Sequence, residues 1–214
     1  MNHTCFRLLR VAILVLVALW LPGLVMAGPP VANLSDQDRA DLTRIETYLN
    51  AIDTMRARFL QASSDGSTTE GNIYIDRPGN MRIDYDPPVP ILVVANGSWL
   101  IYIDTKLNQV THIPLNSTPA GILLRKDTKL SGDVTVTAVA RQADALRVTM
   151  VHTKDPGDGS LTLVFSDRPL ALRKWSVIDA QGIETTVSLM ETHFGEALKR
   201  TLFDVVLPAQ PRQE

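Results

Sequence analysis

The side chains with which a chain of this size could do acid–base, nucleophilic or metal chemistry are scattered. Beyond the first 27 residues the histidines are His112, His152 and His193, widely spaced and each on a stretch with strand character. No His-x-His, His-Glu-x-x-His or Cys-x-x-Cys spacing brings ligands together, so a metal site has no support. Neither a Gly-x-Ser-x-Gly elbow nor a phosphate-cradling glycine loop occurs. Asp155-Pro-Gly-Asp158-Gly has acidic residues at short spacing, but it lacks the ligand number and distal glutamate of a calcium loop and reads as a surface turn. What remains of catalysis is a dispersed Ser/His/Asp site, which no spacing marks. The reading is of a protein that is not an enzyme and needs no cofactor.

Arg77 is a different kind of candidate. It opens the Arg77-Pro78-Gly79 turn between two strand-like runs, Gly71 to Asp76 and Met81 to Tyr85. A turn arginine is commonly a solvated cation. Its guanidinium also has five donors, enough to hold the carbonyls that a helix end leaves without partners. Both readings are open at this point.

The elements that must position such residues are mostly strands. Ser35 is placed to cap a helix with Asp36 and Asp38 in its first turn. Leu42, Ile45, Leu49 and Ile52 follow at 3-4-3 spacing, a single apolar stripe. Met55, Ala57 and Phe59 then alternate with arginines as a strand does, although a helix continuing to Phe59 is the competing reading. Further strand runs are expected near 69–76, 80–86, 91–95, 98–104, 108–113, 133–140, 145–153, 160–166, 170–179, 183–190 and 201–206. Between them stand turn sequences such as Asn96-Gly97 and Ala180-Gln181-Gly182. Thr118, with Pro119 at the first helical position, starts a second short helix through Leu124. The expected fold is mainly β: a strongly curved, antiparallel, incomplete barrel of about eleven strands with a small helical lid. Runs such as Ile91 to Ala95 want both faces out of water, and so few helices leave part of a wide sheet free for a partner or ligand.

The first residues read as an export signal. Arg7 and Arg10 precede an unbroken apolar run, Val11 to Leu21, and Val25-Met26-Ala27 offers small residues for cleavage after Ala27. The run is too short for a span of about 20 residues. The domain is then expected to be residues 28–214, without the lone Cys5. It would hold 19 basic and 23 acidic side chains, a mild charge that argues against nucleic acid as a partner.

Taken in order, several segments resemble one family. Arg77-Pro78, Met81-Arg-Ile-Asp-Tyr85, Pro87-Pro88, Ile91 to Tyr102 with its Asn96-Gly97 turn, and Ser117-Thr118-Pro119 to Leu124 belong to the resemblance. Leu161 to Phe165 and Leu172-Arg-Lys-Trp175 to Gly182 continue it. The chain is similar to the LolA-type periplasmic carriers of outer-membrane lipoproteins, from about Leu42 to Val206. The resemblance implies an open barrel of eleven strands whose apolar cavity takes acyl chains beneath a helical lid. It implies that Arg77 latches the lid. It also implies that Leu49, Ile52, Phe59, Ile75, Met81, Ile83, Leu123 and Leu124 contact lipid or lid. Met81 stands where the family has an aromatic residue and Ile83 where it has a tryptophan. The implied partners are acylated lipoproteins, an inner-membrane ABC-type release complex, and an outer-membrane acceptor or the outer membrane itself. The protein would be a periplasmic monomer. Three other readings stay open: a carrier or sensor of another lipid, an interaction domain that uses an edge strand, and the dispersed-site hydrolase.

Overall fold

The computed structural model describes residues 32–205. The export signal and its cleavage point, Cys5 and Val206 lie outside the described residues. Helix α1, Asp36–Asn50, starts where Ser35 is extended. The Ser35 hydroxyl accepts from the Asp38 amide and the Asp38 carboxylate accepts from the Ser35 amide, a reciprocal capping box. Leu42, Ile45 and Leu49 of its stripe are buried. The helix ends at Asn50, before the alternating Met55–Phe59 run, so strand periodicity prevails over helix continuation there.

Eleven strands follow: β1 Thr54–Ser63, β2 Thr68–Asp76, β3 Asn80–Tyr85, β4 Ile91–Asn96, β5 Trp99–Asp104, β6 Gln109–Pro114, β7 Val134–Gln142, β8 Ala145–His152, β9 Gly159–Asp167, β10 Leu170–Asp179 and β11 Glu184–Phe194. They form one antiparallel sheet in the order β6-β5-β4-β3-β2-β1-β11-β10-β9-β8-β7. Each half is a meander, and the halves join where β1 pairs with β11. β6 and β7 do not pair with each other, so the barrel stays open. Register shifts in the β1–β11, β9–β10 and β7–β8 ladders insert extra residues, and such bulges increase local twist and bend a strand.

The run near 201–206 is not the strand its composition suggests. Arg200–Phe203 forms a 3-10 turn. It lies against β3 and β4, whose edges are already paired with neighbouring strands, so it can pack on their outer face but cannot join the ladder. Phe203 is buried there, and the Leu202 carbonyl accepts from outward-facing Arg82 at 3.2 Å. Val93, Val94 and Ala95 are all buried, as expected of a strand covered on both faces. The count of eleven holds because β1 replaces this segment.

The concave face carries the main core. Between β6 and β7 the chain forms a 3-10 turn, Leu115–Ser117, and helix α2, Pro119–Leu123. The Thr118 hydroxyl caps α2 by accepting from Gly121 N.

Candidate functional site

Helices α1 and α2 lie over the concave face, and beneath α2 is an apolar cavity of about 210 Å³. Its walls are Ile75, Met81, Ile83, Val93 and Leu100 on one half of the sheet and Leu161, Trp175, Val177 and Val187 on the other. α2 and its flanks close it with Thr118, Pro119, Ala120, Leu123 and Leu124. A smaller cleft of about 30 Å³ adjoins it near Arg77, lined by Leu49, Ile52, Met55, Ile75, Leu123, Leu172 and Trp175. Thr118 and Arg77 are the polar members of the two linings.

Arg77 lies half-buried in the β2–β3 turn, where it reaches both helices. Its Nε donates to the Arg125 carbonyl at 2.8 Å, and Nη2 donates to that same oxygen and to the Thr128 hydroxyl at 2.9 Å. Nη1 donates to the carbonyls of Leu49 and, at 3.1 Å, Ile52. Apart from the Thr128 hydroxyl, the acceptors are backbone oxygens just after α2 and at the end of α1, where helix geometry leaves carbonyls without intrahelical partners. Burial pushes the guanidinium below its ordinary pKa, with Asp53 and Asp127 acting in the opposite direction. Arginine stays charged throughout the physiological range.

The same turn supplies a backbone donor. Gly79 N donates to the Leu124 carbonyl at 2.8 Å, and its own carbonyl accepts from Gly97 N at 2.9 Å. Gly79 has φ +83°, and a Cβ there would stand 2.6 Å from the Gly97 Cα. The position therefore excludes side chains on both conformational and steric grounds. Asn50 adds a paired link between α1 and the loop after α2: its Nδ2 donates to Thr128 O at 3.0 Å and its Oδ1 accepts from Thr128 N at 2.8 Å.

The sequence-selected residues are thus distributed unevenly. Ile75, Met81, Ile83, Leu123 and Leu124 line the main cavity, whereas Leu49 and Ile52 line the cleft beside Arg77. Phe59 lines neither; it is 1% exposed and packs edge-on against Tyr85. Leu100, Leu161, Trp175, Val177 and Val187 escaped the sequence reading as site residues. Their inward alternation was visible, but which inward positions face a void is set by where α2 lies.

A larger hollow, about 290 Å³, is polar, with Arg125, Asp133, His152, Lys154, Asp155 and Asp158 among its lining. Arg125 and Asp133 pair across it at 3.5 Å. Among the described residues no group of three His, Cys, Asp or Glu is placed to hold a metal ion. The apolar cavity is the better candidate because covered apolar surface with few polar anchors is what a hydrophobic ligand requires.

Comparison with known proteins gives the same direction. The model of the family described as outer membrane lipoprotein carrier protein LolA matches residues 50–206. The outer-membrane lipoprotein carrier protein of Pseudomonas aeruginosa is 31% identical over 179 residues, covering 78% of this chain and 85% of its own. That of Methylobacillus flagellatus is 27% identical over 181 residues, covering 80% and 87%. Among solved structures, a DUF1329 family protein from Desulfovibrio piger matches with a TM-score of 0.50 at 10% identity, covering 82% of this chain and 98% of that one. This last likeness is one of fold alone.

Proposed function

This chain belongs to the LolA family of outer membrane lipoprotein carriers, a family of carriers rather than enzymes, and from that premise we propose that it is a periplasmic chaperone for acylated lipoproteins. It would accept them from an inner-membrane ABC-type release complex, shield their acyl chains between sheet and lid, and deliver them to an acceptor at the outer membrane or to that membrane itself. Residues 1–27 would act as the export signal and residues 28–214 as one carrier domain working as a monomer, a reading supported by the Arg7/Arg10, Val11–Leu21 and Val25-Met26-Ala27 pattern.

The observation that carries this reading is an apolar cavity closed by short helices that one arginine fastens through backbone carbonyls. At about 210 Å³ the cavity falls below the roughly 300 Å³ at which small-ligand pockets begin. A three-chain anchor of about 45 methylenes, each contributing ~0.8 kcal/mol on burial, represents roughly 35 kcal/mol of apolar transfer. Such an anchor requires far more surface than the closed cavity has. Loading therefore exchanges lid-to-sheet contacts for acyl-to-sheet contacts, and Arg77, as the latch, sets the balance between them. Leu49, Ile52 and Leu123 supply contacts beside the latch; Ile75, Met81, Ile83 and Leu124 line the space that opens; Phe59 supports it from behind.

The test is recovery of the protein from periplasm, with mass spectrometry of what accompanies it. Triacylated lipoproteins should be present with the wild type and enriched with Arg77→Leu. Another lipid in their place would make this a carrier of a different cargo. A folded protein that brings down neither would leave the interaction-domain reading.

A further inference from the structure

The concave face presents its inward side chains in rows across β1, β2 and β3. Ile75 and Met81 form the row nearest Arg77, Ile73 and Ile83 the next, and Gly71 and Tyr85 the third, with Phe59 directly opposite Gly71 on β1. On β2, β3 and β4 the cavity is lined by members of the first two rows and stops there, whereas across the β1–β11 seam it runs on to Val187, the register partner of Gln61.

The third row explains why. Gly71 has no side chain, and the Phe59 ring occupies its place: a Cβ on Gly71 would stand 2.7 Å from Phe59 Cε1. Tyr85 meets that ring edge-on, with centroids 5.3 Å apart and planes at 90°. The Tyr85 hydroxyl then donates to Gln61 Oε1 at 2.8 Å. Burial raises the phenol's pKa above its ordinary value, which keeps it a neutral donor. Tyr85 is thus packed along its ring and tied at its tip. Beyond it the face turns polar on β1 and β2: Gln61 stands opposite Thr69, whose hydroxyl oxygen is buried with no hydrogen-bond partner.

We propose that Phe59 and Tyr85, packed over Gly71 and tied to Gln61, are the end wall of the apolar site along β2 and β3 and set the length of acyl chain it accommodates in a straight run along those strands. The proposal rests on the carrier reading above. The wall lies two rows from Ile75 and Met81, about 14 Å along the strands at roughly 3.4 Å per residue. It is chemical as well as steric. A chain pushed past it would separate the Tyr85 hydroxyl from Gln61 and cover the amide and the Thr69 hydroxyl with groups that offer no hydrogen bond.

The experiment is displacement of a bound apolar dye, anilinonaphthalene sulfonate, by saturated fatty acids from octanoate to octadecanoate. The full chain is used, purified free of lipid. Below the wall each added methylene should tighten binding about fourfold, and in the wild type the rise should stop at one length. Tyr85→Ala should carry it on by at least two methylenes, about fifteenfold for the longest acids. Tyr85→Phe, which keeps the ring, should stop at the wild-type length. Phe59→Leu thins the same wall from the other side and serves if Tyr85→Ala does not fold by circular dichroism. A break at one common length in the wild type and the folded wall variants overturns the wall while leaving the carrier reading intact. Failure of every acid to displace the dye from the wild type overturns both.

Discussion

Helix α1 is held at its two ends by arginines that work in opposite ways. At the N-terminal end, Arg141 contacts Asp41 at 2.6 Å and Asp38 at 2.8 Å, while Arg44 bridges Asp41 at 2.7 Å and Asp167 at 3.1 Å. Every cation there has a carboxylate, and the hydrogen bonds that Arg141 donates to Asp38 and Asp41 raise its pKa. At the C-terminal end, Arg77 has backbone carbonyls as its main acceptors, and burial lowers its pKa. A closed set of paired charges that includes a buried Asp41 resists opening, because separation leaves a carboxylate uncompensated. A cation held by neutral carbonyls separates into groups that water can satisfy on both sides. The first arrangement suits a fixed end and the second a releasable one, which is the asymmetry a hinged lid needs.

Arg77→Leu should break the comparison most deeply. It leaves the carbonyls of Leu49, Ile52 and Arg125 without their charged donor, and one to two such bonds are together worth about 3 kcal/mol. Amide exchange at Gly79 and Thr128, whose hydrogens bond across the lid, should accelerate on the order of a hundredfold. Arg77→Lys should fall between, since an ammonium cannot spread over carbonyls from two helices. Unchanged exchange at Gly79 and Thr128 would remove Arg77 from the latch.

A smaller effect is expected at the other end. Arg141→Ala should lower the free energy of unfolding in urea by about 2 kcal/mol, because Asp41 keeps Arg44 alone. Exchange at Gly79 and Thr128 should change little. A lid that opens as readily in this variant as in Arg77→Leu would erase the distinction between fixed and releasable ends.

The smallest effect sharpens the comparison through pH. Hydrogen bonds from Ser35, followed by the Arg141 guanidinium, hold the Asp38 carboxyl at about 2, below the ~3.9 of an unfolded aspartate. A depressed native pKa adds stability above about pH 4 and loses it as pH falls toward 2. Asp38→Asn should therefore flatten the acid limb of a plot of urea midpoint against pH. Parallel limbs in the two proteins would show that this carboxylate contributes nothing to the anchor.

Much of the fold was legible because local geometry leaves local marks. The capping box at Ser35, the stripe Leu42–Ile45–Leu49, the turns at Arg77-Pro78-Gly79 and Asn96-Gly97, and the Thr118-Pro119 start of α2 each depend on residues a few positions apart. Strand periodicity gave ten of the eleven strands as separate runs near their observed places, and β1 as the alternation from Met55. The site was less legible. Arg77 was visible as a donor of the right capacity in a turn, but its acceptors lie in segments such as Arg125, 48 residues away.

The sequence by itself determined both helices and, but for the run near 201–206 that composition marks as a strand, which segments are strands and near where they begin. Tertiary structure alone decided the rest. It joined β1 to β11, placed Arg200–Phe203 on a sheet face instead of an edge, left Phe59 out of the cavity lining, and brought two helix ends to one guanidinium. The physical reason is range. Periodicity and capping are set by neighbours within a turn or two of chain, whereas a void and a guanidinium shared by two helix ends exist only where distant segments meet.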